Sequence, residues 1–544
     1  MQNTVSNIPK PLNETVYSYA PQTAPRTLLK QELHRLEQEQ IEIPLIIGGK
    51  EVKTGHLGRC IQPHCHSSCL AVFHMASEKE VLMAIEASQK AKICWQTMPY
   101  QQRASIFLKA AELLSSKYRY TLNAATMLNQ SKNAYQAEID SACELVDFWR
   151  FNCYFMQELY KDQPLCSPQG TLNYVEYRPL EGFVFAVTPF NFTSIGGNLP
   201  TAPAMMGNTI VWKPASTAVY SNYFIMKILQ EAGLPDGVIN FIPGSGSQIG
   251  KTVLASPLLA GLHFTGSSEV FNEMWTFIGK HIRNYKTYPR IVGETGGKDF
   301  LVAHISADPE TLIAAVIRGA YEYQGQKCSA LSRMYLPKSL WRRVRDELVG
   351  QIKNIKVGPV QDFSNFMNAV IDKPAFDNAQ RYIDHARCAS DAEILCGGGS
   401  NDAEGYFIEP TLILTSNPQY KSMVEEIFAP ILTAYIYEDE DYEKMLELCD
   451  QTSSYGLTGC VFAQDRYAIC KAYETLRNAA GNFYINDKPT GAVVGQQPFG
   501  GSRGSGTNDK AGSPLNLLRW ISVRAVKENF LPVRNYRYPF MEQE

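Results

Sequence analysis

No run of about 18 apolar residues occurs in the chain, so a membrane-spanning helix is not expected. Charge of one sign is not in excess either. Lys and Arg number 51 against 54 Asp and Glu, a formal net charge of −3. That balance offers no basic footprint for nucleic acid or for an anionic membrane surface. Internal repeats and low-complexity tracts are lacking. Met1–Arg26 has no apolar segment of the kind a secretory leader needs, and Glu14 interrupts the acid-free pattern of a transit peptide. The expected compartment is the cytoplasm. The composition is ordinary: 544 residues, 45% apolar and 19% charged, close to the globular average. Disorder, collagen and coiled coil are excluded as the overall class, and a chain of this length allows roughly three to five units at about 100–200 residues each.

Cysteine is not scarce, but its number is odd. Thirteen cysteines cannot pair completely within one chain, and their scatter gives no disulfide framework. Reduced thiols fit best, which leaves the question of which cysteine does chemistry.

The first forty residues are polar and hold Pro9, Pro11, Pro21 and Pro25; they read as an arm, with Gln31–Gln38 helical. Ile43–Ile47 before Gly48-Gly49 reads as one strand and a turn. Ser77-Glu78-Lys79-Glu80 is a capping box opening an amphipathic helix through Val81, Ala84, Ile85 and Ser88. A second helix carries Phe107, Ala110 and Leu114, and a third runs from about Gln136 through Phe148. The middle of the chain alternates. Apolar strands at Gly182–Val187, Thr209–Trp212, Val238–Ile242 and Leu262–Phe264 are separated by helical patterns, which means βαβ units and a parallel sheet. A second α/β series follows from about Glu294 to Asp487. Thr171–Tyr177 and the stretch after Arg519 alternate as strands do and are expected to pair across subunits.

Ligands of parallel sheets sit beyond the carboxyl ends of the strands. Asn191 lies after the first strand and carries an amide able to donate to an oxyanion. Lys213 ends the next and can meet a ribose or phosphate. Gly244-Ser245-Gly246 continuing to Gly250 follows the third; it is one residue longer than the dinucleotide fingerprint, so position rather than spacing gives it value. Thr265-Gly266-Ser267 opens a helix suited to a pyrophosphate. Further on, Cys328 stands in a Gly-containing turn beside Lys327. A neighbouring cation and exposure both favour the thiolate. Glu294, among glycines, is a candidate base for a water. The cluster His64-Cys65-His66 with Cys69 lacks a second distant Cys/His pair, so no metal site is expected.

These segments together resemble the aldehyde dehydrogenase superfamily, from about Ile43 to the C-terminus. Glu294-Thr295-Gly296-Gly297-Lys298, Gly325-Gln326-Lys327-Cys328 and Glu425-Glu426-Ile427-Phe428-Ala429-Pro430 carry the resemblance, with Ala429 where Gly is usual. Pro189-Phe190-Asn191-Phe192, Asn482–Lys488 and Gly495–Gly501 are similar to the branch that acts on glutamate γ-semialdehyde in proline breakdown. The resemblance implies an α/β fold with a Rossmann-type NAD-binding domain (41–163 and 181–293), an α/β catalytic domain (294–490) and a small β oligomerisation element (164–180 and 511–544), after an arm at 1–40. It implies Cys328 as nucleophile, Glu294 as base and Asn191 in the oxyanion hole. Lys213, Ser216, Gly246, Gly250, Thr265, Gly266, Ser267, Glu426 and Phe428 would contact NAD. Ser216 replaces a glutamate found in many NAD-preferring relatives, which leaves NADP open. Glu144, Phe192, Ser329, Gly491, Ala492 and Phe499 would line the substrate pocket. A homodimer or larger homo-oligomer is implied, with any proline dehydrogenase a separate chain. Another semialdehyde dehydrogenase, or a non-catalytic protein on the same fold, are the alternatives; Glu294 counts against a CoA-dependent enzyme.

Overall fold

Pro44 divides the first apolar stretch between two sheets. Proline lacks the N–H that a ladder needs, and the chain changes partner there. In the computed structural model, which describes residues 7–543, Ile41–Ile43 runs parallel to Ala71–Phe73, whereas Leu45–Ile47 joins a larger sheet through Ile46 and Phe241. The single strand expected over Ile43–Ile47 is therefore two short ones.

The larger sheet has seven strands in the order Arg290–Glu294, Leu259–Thr265, Phe183–Val187, Thr209–Lys213, Ile239–Phe241, Leu45–Ile47 and Lys50–Val52. The first five are parallel. They are buried on both faces, which is why they read as continuous apolar runs instead of alternating ones. Helices cover them. The Glu78–Trp95 helix starts as its capping box requires, with the Ser77 N–H donating to the Glu80 carboxylate at 2.9 Å. The Val219–Ala232 helix ends on Gly233 at φ +96°, the left-handed cap that glycine adopts without strain. From Phe183–Val187 the chain winds outward through two strands, then returns to lay Leu259–Thr265 on the other side. The order reverses between those two neighbours, and the crevice at their carboxyl ends is where such sheets bind ligands.

A second seven-stranded sheet follows: Ala392–Cys396, Thr411–Thr415, Ile431–Tyr437, Leu331–Pro337, Asp299–Ala303, Thr458–Phe462 and Asn482–Ile485. All but the first are parallel to their neighbours. The two sheets are consecutive in the chain. Glu294 closes the last strand of one and Asp299 opens the first strand of the other, so the Glu294–Lys298 segment is the crossing between them.

Three segments differ from the sequence reading. The third helix is longer and interrupted: Ala134–Ala137 passes through a π-helical turn at Glu138–Cys143 into Glu144–Tyr160. Such turns widen a helix locally and cluster at functional sites. The strand Ile521–Asn529 pairs over nine residues with Thr171–Pro179 of the same chain, a ribbon the sequence reading did not give. Residues 7–40 pack inward. Leu29, Leu33 and Leu36 of the Ala24–Gln38 helix are buried, and Glu14 bridges Arg119 and Arg150 at 2.7 and 2.6 Å.

The His/Cys cluster lies at the hairpin between Leu57–Gln62 and Cys65–His74. Its side chains point to different partners: His64 to Ser131, His66 to the Asp402 carbonyl and Cys69 to the Ala71 carbonyl.

Candidate active site

Cys328 sits where three sequence-distant turns meet. Before it, Glu322–Gly325 forms a short 3-10 turn in which Tyr323, Gln324 and Gly325 all have positive φ, at 51°, 57° and 65°. Non-glycine residues in that region persist only when the surroundings over-determine them. Here they do. The Tyr323 hydroxyl donates to the Gln130 carbonyl at 3.0 Å, and the Gln324 amide donates to the carbonyls of Ser131 and Ala369 at 3.0 and 2.7 Å. Gln326 accepts from the Ile371 N–H at 2.9 Å. At Gly325 a Cβ would lie 2.3 Å from the Ala429 carbonyl oxygen, and at Gly297 it would lie 2.2 Å from the Cys328 carbonyl oxygen. The glycines of one motif are thus the contact surface for the next. Ala429 in place of glycine is accommodated because its carbonyl, not its side chain, faces Gly325.

Asn191 follows the Phe183–Val187 strand and donates from Nδ2 to the Gln326 carbonyl at 3.1 Å. One amide hydrogen therefore fixes it against the nucleophile's turn, and the second is left to serve an oxyanion. Glu294 is the last residue of its strand. Its Oε2 is buried without a hydrogen-bond partner. Burial pushes its carboxyl well above the usual range, opposed by the Gly501 N–H and Lys510. A carboxyl of that kind is poised to hold and release a proton.

Two sequence expectations about Cys328 are corrected. It is buried, at 8% exposure, and Lys327 does not face its thiol. The Lys327 ammonium stands 3.5 Å from Glu322 and 3.7 Å from Asp140. Burial, then Glu294, Asp299 and Glu426, push the thiol well above its usual value. A thiol raised in this way has to lose its proton before its sulfur can attack.

The residues expected for the dinucleotide gather at the carboxyl edge of the first sheet. Lys213 ends its strand, and burial alone pushes its ammonium down to about 8. Gly246 begins the Gly246–Ala255 helix; a Cβ there would lie 3.8 Å from Lys213 Nζ. Gly250 is buried on that helix. The Ser216 hydroxyl donates to the Gly244 carbonyl at 3.5 Å. Thr265 ends the neighbouring strand, the Gly266 N–H donates to the Glu294 carbonyl at 3.2 Å, and Ser267 caps the Ser268–Lys280 helix. From the second sheet, Glu426 accepts from the Gly297 N–H at 2.9 Å, and the Phe428 ring meets Phe190 edge-on at 5.9 Å. A desolvated ammonium beside a helix N-terminus fits phosphate or ribose oxygens, and a recessed carboxylate such as Glu426 fits ribose hydroxyls.

The chain belongs to the aldehyde dehydrogenase family. The model of that family matches residues 52–526. Similar proteins include a mitochondrial delta-1-pyrroline-5-carboxylate dehydrogenase of Dictyostelium discoideum, 53% identical over 538 residues (98% of this chain and 96% of that one). A protein of the same name from Agaricus bisporus is 52% identical over 98% of this chain and 97% of that one. The crystal structure of the delta-pyrroline-5-carboxylate dehydrogenase from Mycobacterium tuberculosis bound with NAD matches with a TM-score of 0.96 and 49% identity, covering 100% of both chains.

The residues expected for the substrate pocket lie on four segments of this aldehyde dehydrogenase. Phe192 lies next to Asn191. The Ser329 and Thr490 hydroxyls are 2.8 Å apart, bringing the Gly491-Ala492 turn towards the Cys328 turn. Phe499 pairs with Ala511. Glu144 leaves the π-helical turn, takes a hydrogen bond from Ser194, and is pushed up to about 8 by burial and by Asp140. Sequence reasoning assigned no role to Lys298. Its buried Nζ has no hydrogen-bond partner, and burial with Arg333 pushes it down to about 7 against Glu426 and Asp299. Its place inside the Glu294–Lys298 motif was the available signal.

Proposed function

We propose that this enzyme oxidises L-glutamate γ-semialdehyde, the open form of Δ1-pyrroline-5-carboxylate, to L-glutamate with NAD as acceptor, the second step of proline breakdown. The observation that carries the reading is that Asn191 is bonded to the Cys328 turn and Glu294 is a charged neighbour of the buried Cys328 thiol. The near-complete coverage of the pyrroline-5-carboxylate dehydrogenases adds to it.

The residues act in sequence. Cys328 gives up its thiol proton to water, and its sulfur forms a bond to the aldehyde carbon. The carbonyl electron pair collects on oxygen, where the Asn191 amide and the Cys328 backbone N–H donate; one such donor is worth roughly 3–4 kcal/mol of barrier. NAD, which Lys213, Ser267 and Glu426 would hold, would supply the acceptor for the hydride that leaves this carbon. A thioester on Cys328 remains. Glu294 takes a proton from water, the hydroxide adds to the thioester carbon, and glutamate leaves as the sulfur regains its electron pair. Phe192 and Phe499 enclose the short chain, a pocket that discriminates by roughly 1–3 kcal/mol per methylene. In this reading residues 41–163 and 181–293 hold the dinucleotide, and 294–490 carry the nucleophile. A CoA-requiring reaction with the same aldehyde would contradict it.

Ser216 in place of an acidic residue removes the repulsion that a 2′-phosphate would meet. NADP is therefore expected to support measurable turnover, and Ser216→Glu to lower the NADP-to-NAD ratio of kcat/KM by about tenfold or more. An unchanged ratio in that variant would remove Ser216 from the cofactor site.

Self-association is proposed through the Thr171–Pro179 and Ile521–Asn529 ribbon. It exposes Leu172, Tyr174 and Val523 and runs on into exposed Leu531, Val533 and Phe540, and exposed apolar patches of this kind mark interaction surfaces. Light scattering is expected to give at least twice the 60.9 kDa of one chain. A reducing compartment suits thirteen unpaired cysteines. The cytoplasm is the first reading and the mitochondrion the second, because the Dictyostelium relative carries that designation.

A further inference from the structure

One cluster of buried charge lies against the catalytic turns and has no part in the chemistry above. Lys132, Lys327 and Lys488 meet Asp140 and Glu322 there. Lys132 Nζ donates to Asp140 Oδ2 at 2.6 Å and lies over the rings of Phe192 and Tyr323, 4.4 and 4.3 Å from their centroids. Lys327 stands between the two carboxylates. Lys488 Nζ donates to Glu322 Oε2, the oxygen nearest Lys327, at 3.1 Å. Buried charges are tolerated when they are paired and hydrogen-bonded, so these contacts explain how five ions can be sequestered together.

The charges do not balance. Three ammonium groups face two carboxylates. Glu144, the next carboxyl, is pushed up to about 8 by burial and Asp140, and burial pushes Lys132 down to about 8. Lys132 and Lys327 are sealed, with side-chain exposures of 0% and 2%, whereas the Lys488 side chain is 20% exposed. The open end of the cluster points to the Gly491 turn. A Cβ on Gly491 would lie 3.2 Å from Lys488 Nζ, and Gly491 has φ +95°. The same turn is tied to the nucleophile's neighbour through Thr490 and Ser329.

We propose that Lys488 is a specificity-determining residue: its ammonium supplies the positive charge that recognises the carboxylate of an α-amino-acid semialdehyde at the Gly491 turn, with Glu322 holding it in place. The inference rests on the proposed function above. Backbone N–H groups of the turn give direction to the carboxylate, and a cation in a recessed site adds an attraction that water would otherwise screen. An aldehyde of similar reach without a carboxylate gains nothing from it. Glu322 also contacts Lys327, so the carboxylate end and the nucleophile end are set by one buried acid.

The test compares kcat/KM for L-glutamate γ-semialdehyde with that for butanal, in the full chain with saturating NAD. Lys488→Met is expected to lower the ratio at least tenfold, mainly through KM for the semialdehyde, and to weaken inhibition by L-glutamate by a similar factor. Lys488→Arg is expected to keep the ratio within about threefold, because the charge is retained. A ratio unchanged in Lys488→Met, or both substrates falling together, would overturn the proposal, since a merely structural role lowers both alike. Should Lys488→Met fail to fold, the ratio in Lys488→Gln decides in the same way. Wild-type protein active on butanal and inert toward the semialdehyde would sink the proposed function itself, a result visible before any substitution is made.

Discussion

Cys328→Ala is expected to abolish NADH formation from Δ1-pyrroline-5-carboxylate, by at least about 10⁴-fold, while NAD binding is kept. Removal of a covalent nucleophile leaves only the catalysis supplied by positioning and oxyanion donors. No neighbour is placed to substitute: the Ser329 hydroxyl is engaged with Thr490. The dinucleotide residues Lys213, Gly246 and Ser267 lie on other elements, and alanine fits the space a thiol leaves. The thiol of the free enzyme is also expected to be slow toward iodoacetamide at neutral pH. Burial and the neighbouring Glu294, Asp299 and Glu426 raise it well above its ordinary value. A raised thiol is ionised only as pH climbs, so alkylation followed by mass spectrometry is expected to quicken steadily into the alkaline range. Fast alkylation already saturated at neutral pH would contradict the raised thiol. Retention of near-wild-type turnover in Cys328→Ala would remove it as the nucleophile.

Glu294→Gln is expected to separate the two halves of the reaction. Glutamine has the same shape and can stay buried without the proton the acid exchanges. Acylation and hydride departure then persist, while water attack on the thioester slows by about 10²–10⁴-fold, the range a positioned base contributes. Rapid mixing should give one equivalent of NADH in a burst, followed by a slow steady state, with acyl-enzyme detectable on Cys328 by mass. Wild-type steady-state rate with no burst would mean that water is activated by another group. The buried, unpartnered Oε2 of Glu294 makes this variant informative, because no existing hydrogen bond to that atom is lost with the charge.

The central strands were readable in the sequence because a parallel sheet buries both faces, and burial on both faces leaves an unbroken apolar run, as at Phe183–Val187. The Ser77 capping box was readable because its two partners are three residues apart. The candidate site residues Cys328, Glu294 and Asn191 stood out through their turns and through the family resemblance. Sequence adjacency misled at Lys327. A residue next to the nucleophile was read as its activating cation, but the turn aims consecutive side chains at different surroundings, and Lys327 belongs to Glu322 and Asp140. The ion cluster was invisible for the complementary reason. Lys132 and Lys488 lie far apart along the chain, and a buried charge looks like a solvated one until the fold brings its partner. Pro44 carried the signal for the split first strand, since its missing N–H predicts a break. The π-helical turn at Glu138–Cys143 carried none, because its insertion shifts the helical period without a distinctive residue.

The central claim is an NAD-dependent oxidation of glutamate γ-semialdehyde through Cys328, and NADH absorbance with Δ1-pyrroline-5-carboxylate tests it most directly. The expected result is saturable NADH formation without added CoA, one NADH for each L-glutamate produced. The contradicting result is NADH formation no higher than in Cys328→Ala, or turnover that appears only when CoA is supplied.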